Sequence, residues 1–219
     1  MGRGRRGKGS GGRNSYAKPD RFTQRAKAEG YLARSVYKLT EIQKRHRILR
    51  RGDRVVDLGC SPGSWLVWAQ EQVGSAGSVV GVDIAEPGPV SVPVIVRDIF
   101  EVSAEELREA VGGPVQVLLS DMAPRTTGNT LGDHVRQLEL AARAVELAQA
   151  LLVPGGNLVI KLFDGEDAPG FVASVRPLFD KVKRQRPEAV RRESREFFLV
   201  GLGYKGRDLE EPCDRASTT

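Results

Sequence analysis

Arg54-Val55-Val56-Asp57-Leu58-Gly59-Cys60-Ser61-Pro62-Gly63-Ser64-Trp65 begins as a strand and ends as a helix. Arg54–Leu58 is a short apolar run stopped by a glycine, and Ser64–Val73 carries the spacing of a helix. A strand that turns through glycines into a helix is the opening unit of a parallel sheet. The alternation continues. Ser78–Ile84 and Val92–Val96 read as strands, Ala104–Val111 as a helix, and Val115–Leu119 as a strand ending in Ser120-Asp121. Asp133–Leu152 places Leu138, Ala141, Ala142, Val145, Ala148 and Leu152 on one helical face, and Pro154-Gly155-Gly156 stops it. Asn157–Leu162 reads as a strand, Ala168–Phe179 as a helix, Lys181–Arg186 as an edge strand and Glu196–Gly203 as a final strand. The expected architecture is a Rossmann-like α/β fold, with a mostly parallel seven-stranded sheet flanked by helices.

Ligands of such sheets bind beyond the carboxyl ends of the strands. Four carboxylates fall there, Asp57, Asp83, Asp98 and Asp121. A dinucleotide site wants G-x-G-x-x-G so that backbone amides can hold a pyrophosphate. Here Gly59 and Gly63 are four apart and Ser61 fills the place between them, which argues for a nucleoside ligand without phosphate. Gly59 and Gly63 let the backbone approach closely, and Pro62 stiffens the turn. Asp83, 20 residues after Gly63, is placed to accept hydrogen bonds from both hydroxyls of a ribose. Asp98 is placed to accept from an adenine amino group. One carboxylate at a strand end is often only a helix cap; four in succession outline an S-adenosylmethionine pocket. Trp65, beside Gly63, reads as a cofactor contact, with core packing as its alternative. Cys60 reads as a small turn residue, Trp68 as core, and His46 and His134 as solvated or capping.

Composition bounds the class. No apolar run approaches the roughly 18–20 residues of a membrane span, and no charged-then-apolar leader opens the chain. Cys60 and Cys213 cannot make a disulfide framework, and no Cys/His cluster has zinc spacing. The expectation is a cytoplasmic, monomeric protein that uses neither membrane nor metal. Residues 1–51 hold 16 Lys and Arg against 3 acids, a net +13, whereas residues 52–219 hold 18 against 25, a net −7. A basic leading segment on an acidic body points to a nucleic-acid partner. Residues 1–14 alternate Gly with Arg and Lys and are expected to be disordered. Residues 15–51 are expected to contact RNA and to carry a helix from Leu32 through Val36 and Leu39 to about Gln43. A domain at 52–205 and a C-terminal tail at 206–219 complete the division.

Five separated segments carry a family resemblance. They are Ala33–Leu39, Asp57–Trp65, Ser120-Asp121-Met122-Ala123-Pro124, Val159-Ile160-Lys161-Leu162-Phe163 and Ser194-Arg195-Glu196. Over residues 20–204 the chain resembles the FtsJ/RrmJ family of ribosomal RNA 2′-O-ribose methyltransferases. The resemblance implies an S-adenosylmethionine-dependent enzyme acting on large-subunit ribosomal RNA, at a uridine of the A-loop. The family's Lys-Asp-Lys-Glu catalytic tetrad falls on Lys38, Asp121, Lys161 and Glu196. Cys60, Ser61 and Ser64 replace the family's small turn residues, and Ala85–Pro93 is unusually proline-rich.

Methyl transfer from a sulfonium to a 2′-hydroxyl needs alignment and a route for the proton. Lys161, at the end of a central strand, is the natural acceptor in its neutral form. A second ammonium nearby, from Lys38, favours that form, whereas carboxylates oppose it. Asp121 is therefore expected to hold Lys161, and Glu196 to position Lys38 or the ribose. The alternatives are a phosphate contact for Lys38, a loop cap for Asp121 and a surface ion pair of Glu196 with Arg195. Phosphate contacts weaken with salt, whereas pocket contacts do so much less. Deleting residues 1–14 removes five basic residues and no acid. Binding titrations across salt should show weaker RNA affinity, a shallower salt slope and unchanged cofactor affinity. Undiminished RNA affinity at low salt would contradict a phosphate-contacting tail.

Overall fold

The computed structural model describes residues 20–124 and 130–206. The tail at 1–14, Cys213 and the rest of 207–219 lie outside the described residues. Seven strands form one sheet: β1 (Arg54–Leu58), β2 (Ser78–Asp83), β3 (Val94–Val96), β4 (Val115–Ser120), β5 (Leu152–Phe163), β6 (Phe179–Gln185) and β7 (Glu196–Tyr204). Their order is β3-β2-β1-β4-β5-β7-β6. The pairs from β3 through β5 are parallel, and β7 runs antiparallel to both β5 and β6. Chain order reverses between β1 and β4, so a crevice opens beyond their carboxyl ends.

Alternation along each strand divides the core. Val56, Leu58, Leu118 and Ile160 pack toward α4 (Ala104–Val111), α5 (Thr130–Leu151) and α6 (Ala168–Val175). Val55, Val117, Val159 and Phe198 pack toward α2 (Val36–His46) and α3 (Ser64–Val73). Ala26 of α1 (Arg21–Ala28) joins the second cluster, as do Val36, Leu39 and Ile42 of α2. The basic leading segment is thus anchored in the core of the sheet. None of the helices among the described residues is long and apolar enough to cross a membrane.

Strand register does the positioning. Leu58 pairs with Ser120, and Ser120 with Ile160, so Gly59, Asp121 and Lys161 leave three adjacent strands in one row. Lys161 pairs with Phe198, and Phe163 with Glu196, which sets Glu196 at the same edge from the opposite direction.

Four elements differ from expectation. The chain forms two helices before β1, because Asp20 caps α1 by accepting from the Phe22 and Thr23 amides and Gly30 breaks the run at φ 81°. Leu32 therefore lies outside α2, which extends to His46 and ends at Arg47 in a left-handed conformation. Pro154-Gly155-Gly156 falls inside β5, where the pairing with β4 shifts register between Val115 and Val117. α6 gives way to a 3-10 turn at Arg176–Leu178, where Pro177 has no amide hydrogen to continue the α-helical bonding.

Trp65 is 3% exposed; its ring lies 5.8 Å from Phe198, and its Nε1 donates to the Ser35 carbonyl at 2.8 Å. The side chain pins the leading segment to α3 and packs in the core. Only its backbone amide, in the first turn of α3, is left for a cofactor contact. Trp65→Phe keeps most of the packing and leaves the Ser35 carbonyl without its donor. Denaturant unfolding should show a loss of about 1–2 kcal/mol, with cofactor affinity unchanged. A large loss of cofactor affinity in a stably folded Trp65→Phe would contradict this placement.

Candidate active site

Lys38, Asp121, Lys161 and Glu196 come from α2, the end of β4, β5 and the start of β7, and they meet. Lys38 Nζ lies 2.6 Å from Glu196 Oε1 and 3.6 Å from Asp121 Oδ1. Lys161 Nζ lies 3.2 Å from the same Asp121 oxygen and also donates to the Asp121 carbonyl. The result is a linear array, Glu196–Lys38–Asp121–Lys161, of two cations and two anions. Its side chains are only 7–16% exposed, a burial that ionic groups tolerate when paired. Lys38 Nζ also stands 5.6 Å from the Phe198 ring centre. Gln137 Nε2 donates to the Lys161 carbonyl at 2.8 Å, fixing the backbone that carries the lysine.

Beside the array opens a cavity of about 730 Å³, lined by Gly59, Ser61, Asp83, Asp98 and Asp121 together with Ile84, Phe100, Met122 and Leu140. Asp83 Oδ2 accepts from the Ser61 amide and Oδ1 from the Ala85 amide, both at 2.9 Å. These bonds lock the carboxylate plane across the crevice and leave further lone pairs for a ligand. Asp98 Oδ1 accepts from the Phe100 amide at 3.1 Å. Gly59, at φ 76°, passes so close to β4 that a Cβ there would come within 2.6 Å of Met122 Cγ.

Asp57, Pro62 and Gly63 shape the turn from behind and do not line the cavity. Gly63 (φ 113°) faces Val90, Leu32 and Pro87, and the Pro62 carbonyl accepts from the Gly88 amide at 2.9 Å. The proline-rich segment thus closes over the turn. Asp57 is 0% exposed, and neither of its carboxylate oxygens has a hydrogen-bond partner among the described residues. Burial, reinforced by the charges of Asp121 and Asp83, pushes its carboxyl well above the ordinary range. Burial likewise pushes the Cys60 thiol far up, which keeps it protonated and unreactive.

Ile84, Phe100, Met122 and Leu140 were not singled out from the sequence. Ile84 and Phe100 are each 55% exposed, and they lie one and two residues beyond Asp83 and Asp98. Large apolar residues just past the acidic strand ends are the signal that would have found them.

A ligand for this cavity needs two apolar faces, hydrogen-bond donors for Asp83 and Asp98, and positive charge to suit the carboxylates grouped at the strand ends. S-adenosylmethionine meets each requirement.

The sequence profile of the family described as FtsJ-like methyltransferase matches residues 31–204. The chain is 46% identical over 190 residues to the ribosomal RNA large subunit methyltransferase E of Desulfosudis oleivorans, covering 85% of this chain and 91% of that protein. It is 45% identical over 197 residues to the protein of that name from Sorangium cellulosum, covering 88% and 92%. A Plasmodium falciparum structure described as a ribosomal RNA methyltransferase superposes with a TM-score of 0.72 at 25% identity, over 81% of this chain and 100% of that one. The profile takes in the glycine turn and all four residues of the ionic array, and the chain belongs to the FtsJ-like methyltransferase family.

Proposed function

We propose that this methyltransferase transfers a methyl group from S-adenosylmethionine to the ribose 2′-hydroxyl of a uridine in large-subunit ribosomal RNA, in the A-loop. The observation that carries the reading is the ionic array, which brings Lys161 to the row of strand ends bordering the cavity. The names of the relatives support ribosomal RNA as the substrate. The uridine and the A-loop follow from the family resemblance. In this reading the protein works as a monomer in the cytoplasm, on RNA within the large ribosomal subunit.

When bound, S-adenosylmethionine supplies a methyl group already activated on a sulfonium. Asp83 would accept from the ribose hydroxyls of the cofactor, and Asp98 from its adenine amino group. Ile84 and Phe100 would flank the base, and Gly59 would leave room for the methionine end. Asp57, buried behind the turn, backs it as an uncharged carboxyl. Lys161, held by Asp121, is the group placed to take the 2′-hydroxyl proton. Lys38 touches the same Asp121 oxygen, so the carboxylate is shared between two lysines and Lys161 does not hold its charge alone. Asp121 fixes Lys161 in place, while Glu196 fixes Lys38 toward the incoming RNA. Catalysis then rests on alignment and proton removal.

Labelled S-adenosylmethionine incubated with large ribosomal subunits should place label on the 2′-oxygen of one A-loop uridine. Label confined to a base or to transfer RNA would contradict the assignment. Asp83→Ala should weaken cofactor binding by about 1–3 kcal/mol in calorimetry, the scale of a lost hydrogen-bonded charged acceptor. Unaltered affinity in that variant would remove the pocket assignment.

A further inference from the structure

Residues 185–196 join β6 to β7 and deliver Glu196 to Lys38. The segment has no strand or helix to stiffen it, yet it must place one carboxylate oxygen against one ammonium. It is gripped first by α2. Glu41 Oε2 accepts from the Glu188 amide at 2.8 Å, and Glu41 Oε1 from Gln185 Nε2 at 3.2 Å. Glu41 stands one helical turn beyond Lys38, so one rigid helix holds the near end of the segment and the partner of its far end. Arg34 donates to the Ala189 carbonyl between them.

What closes the loop is Arg186. Its Nη2 donates to the carbonyls of Ser194 at 2.6 Å, Arg191 at 3.1 Å and Arg192 at 3.4 Å, and its Nη1 to that of Glu196 at 3.2 Å. Four carbonyls converge on one guanidinium. Ser194 then holds the Glu196 side chain, its Oγ donating to Oε2 at 3.3 Å and accepting from the Glu196 amide at 3.2 Å.

We propose that Arg186 is a positioning residue for methyl transfer: it ties the 191–196 turn to the α2-anchored start of the segment and so holds Glu196 against Lys38. The inference rests on the ribose-methylation reading for its kinetic readout alone. A planar fork with donors in fixed directions can bind several carbonyls at once; a lysine ammonium cannot reproduce it. Arg186 also borders a polar hollow with Arg192 and Arg195, where a plain phosphate contact is the rival role.

The test compares wild type, Arg186→Ala, Arg186→Lys, Glu196→Gln and the Arg186→Ala/Glu196→Gln double variant. Hydrogen exchange over residues 191–198 should quicken in both Arg186 variants, whatever the substrate. Single-turnover methylation at saturating cofactor and RNA should fall about 10- to 100-fold in Arg186→Ala, the scale of a displaced reacting group. Arg186→Lys should be nearly as slow. RNA and cofactor affinities should stay near wild type, and Arg186→Ala should cost nothing further in the Glu196→Gln background. Unaltered exchange overturns the proposal, as do additive losses in the double variant. Weakened RNA binding restored by Arg186→Lys would make Arg186 a phosphate contact instead, and lost cofactor binding in both variants would make it a general scaffold residue. A wild type inactive on ribosomal RNA strikes the substrate reading, and exchange still decides the role of Arg186.

Discussion

Three parallel pairings, Leu58 with Ser120, Ser120 with Ile160 and Leu58 with Val82, fix where Gly59, Asp83, Asp121 and Lys161 stand. They set Gly59, Asp83, Asp121 and Lys161 along one edge of the sheet, Gly59 and Asp121 just past their strands, Asp83 at the end of β2 and Lys161 two residues before the end of β5. A slip of one residue would turn Asp121 and Lys161 away from their present faces and bury the wrong neighbours. The register is itself held by the core, since Val56, Leu118 and Ile160 fill one face while Val55, Val117 and Val159 fill the other. The site is a consequence of that packing. Its shape cannot drift while the strands stay paired.

Charge is the second constraint. Lys161 at 6% exposure would be costly alone, and Asp121 and Glu196 would be costly without the lysines. The array balances them as two cations and two anions. Lys38 completes it only because α2, rooted by Val36, Leu39 and Ile42, docks on the sheet. The basic leading segment therefore supplies one member of the ionic array. Trp65 and Ser35 join it to the helix that follows the glycine turn.

Much of this was legible in the chain. α3 and α4 fall where the sequence places them, because each is bounded by strong local signals: Gly63 and Gly74 for α3, Ser103 and Gly112 for α4. The strand-end carboxylates were legible too, since burial and glycine punctuation mark the ends of strands. α1 was not, because Ala26 alone is buried among its eight residues and so leaves no apolar periodicity. The antiparallel course of β7 was not, because direction depends on how a distant strand is reached. Trp65 carried two readings because its neighbour Gly63 belongs to the glycine turn while its indole lies in the core. The grip of Glu41 and Arg186 on residues 185–196 depends on contacts between remote segments that no local pattern announces.

The central claim is that Lys161 takes the proton in a reaction that Asp121 and Lys38 prepare. Its most direct test is single-turnover methylation of large ribosomal subunits by wild type, Lys161→Ala and Lys161→Arg under saturating cofactor. The account predicts that both variants lose about 10²–10⁴-fold in rate, the span of a lost acid–base group. Binding of cofactor and RNA should be preserved in both; in Lys161→Arg the guanidinium keeps a charge yet cannot accept a proton. Substantial activity in Lys161→Arg would contradict proton abstraction and leave Lys161 a purely electrostatic role.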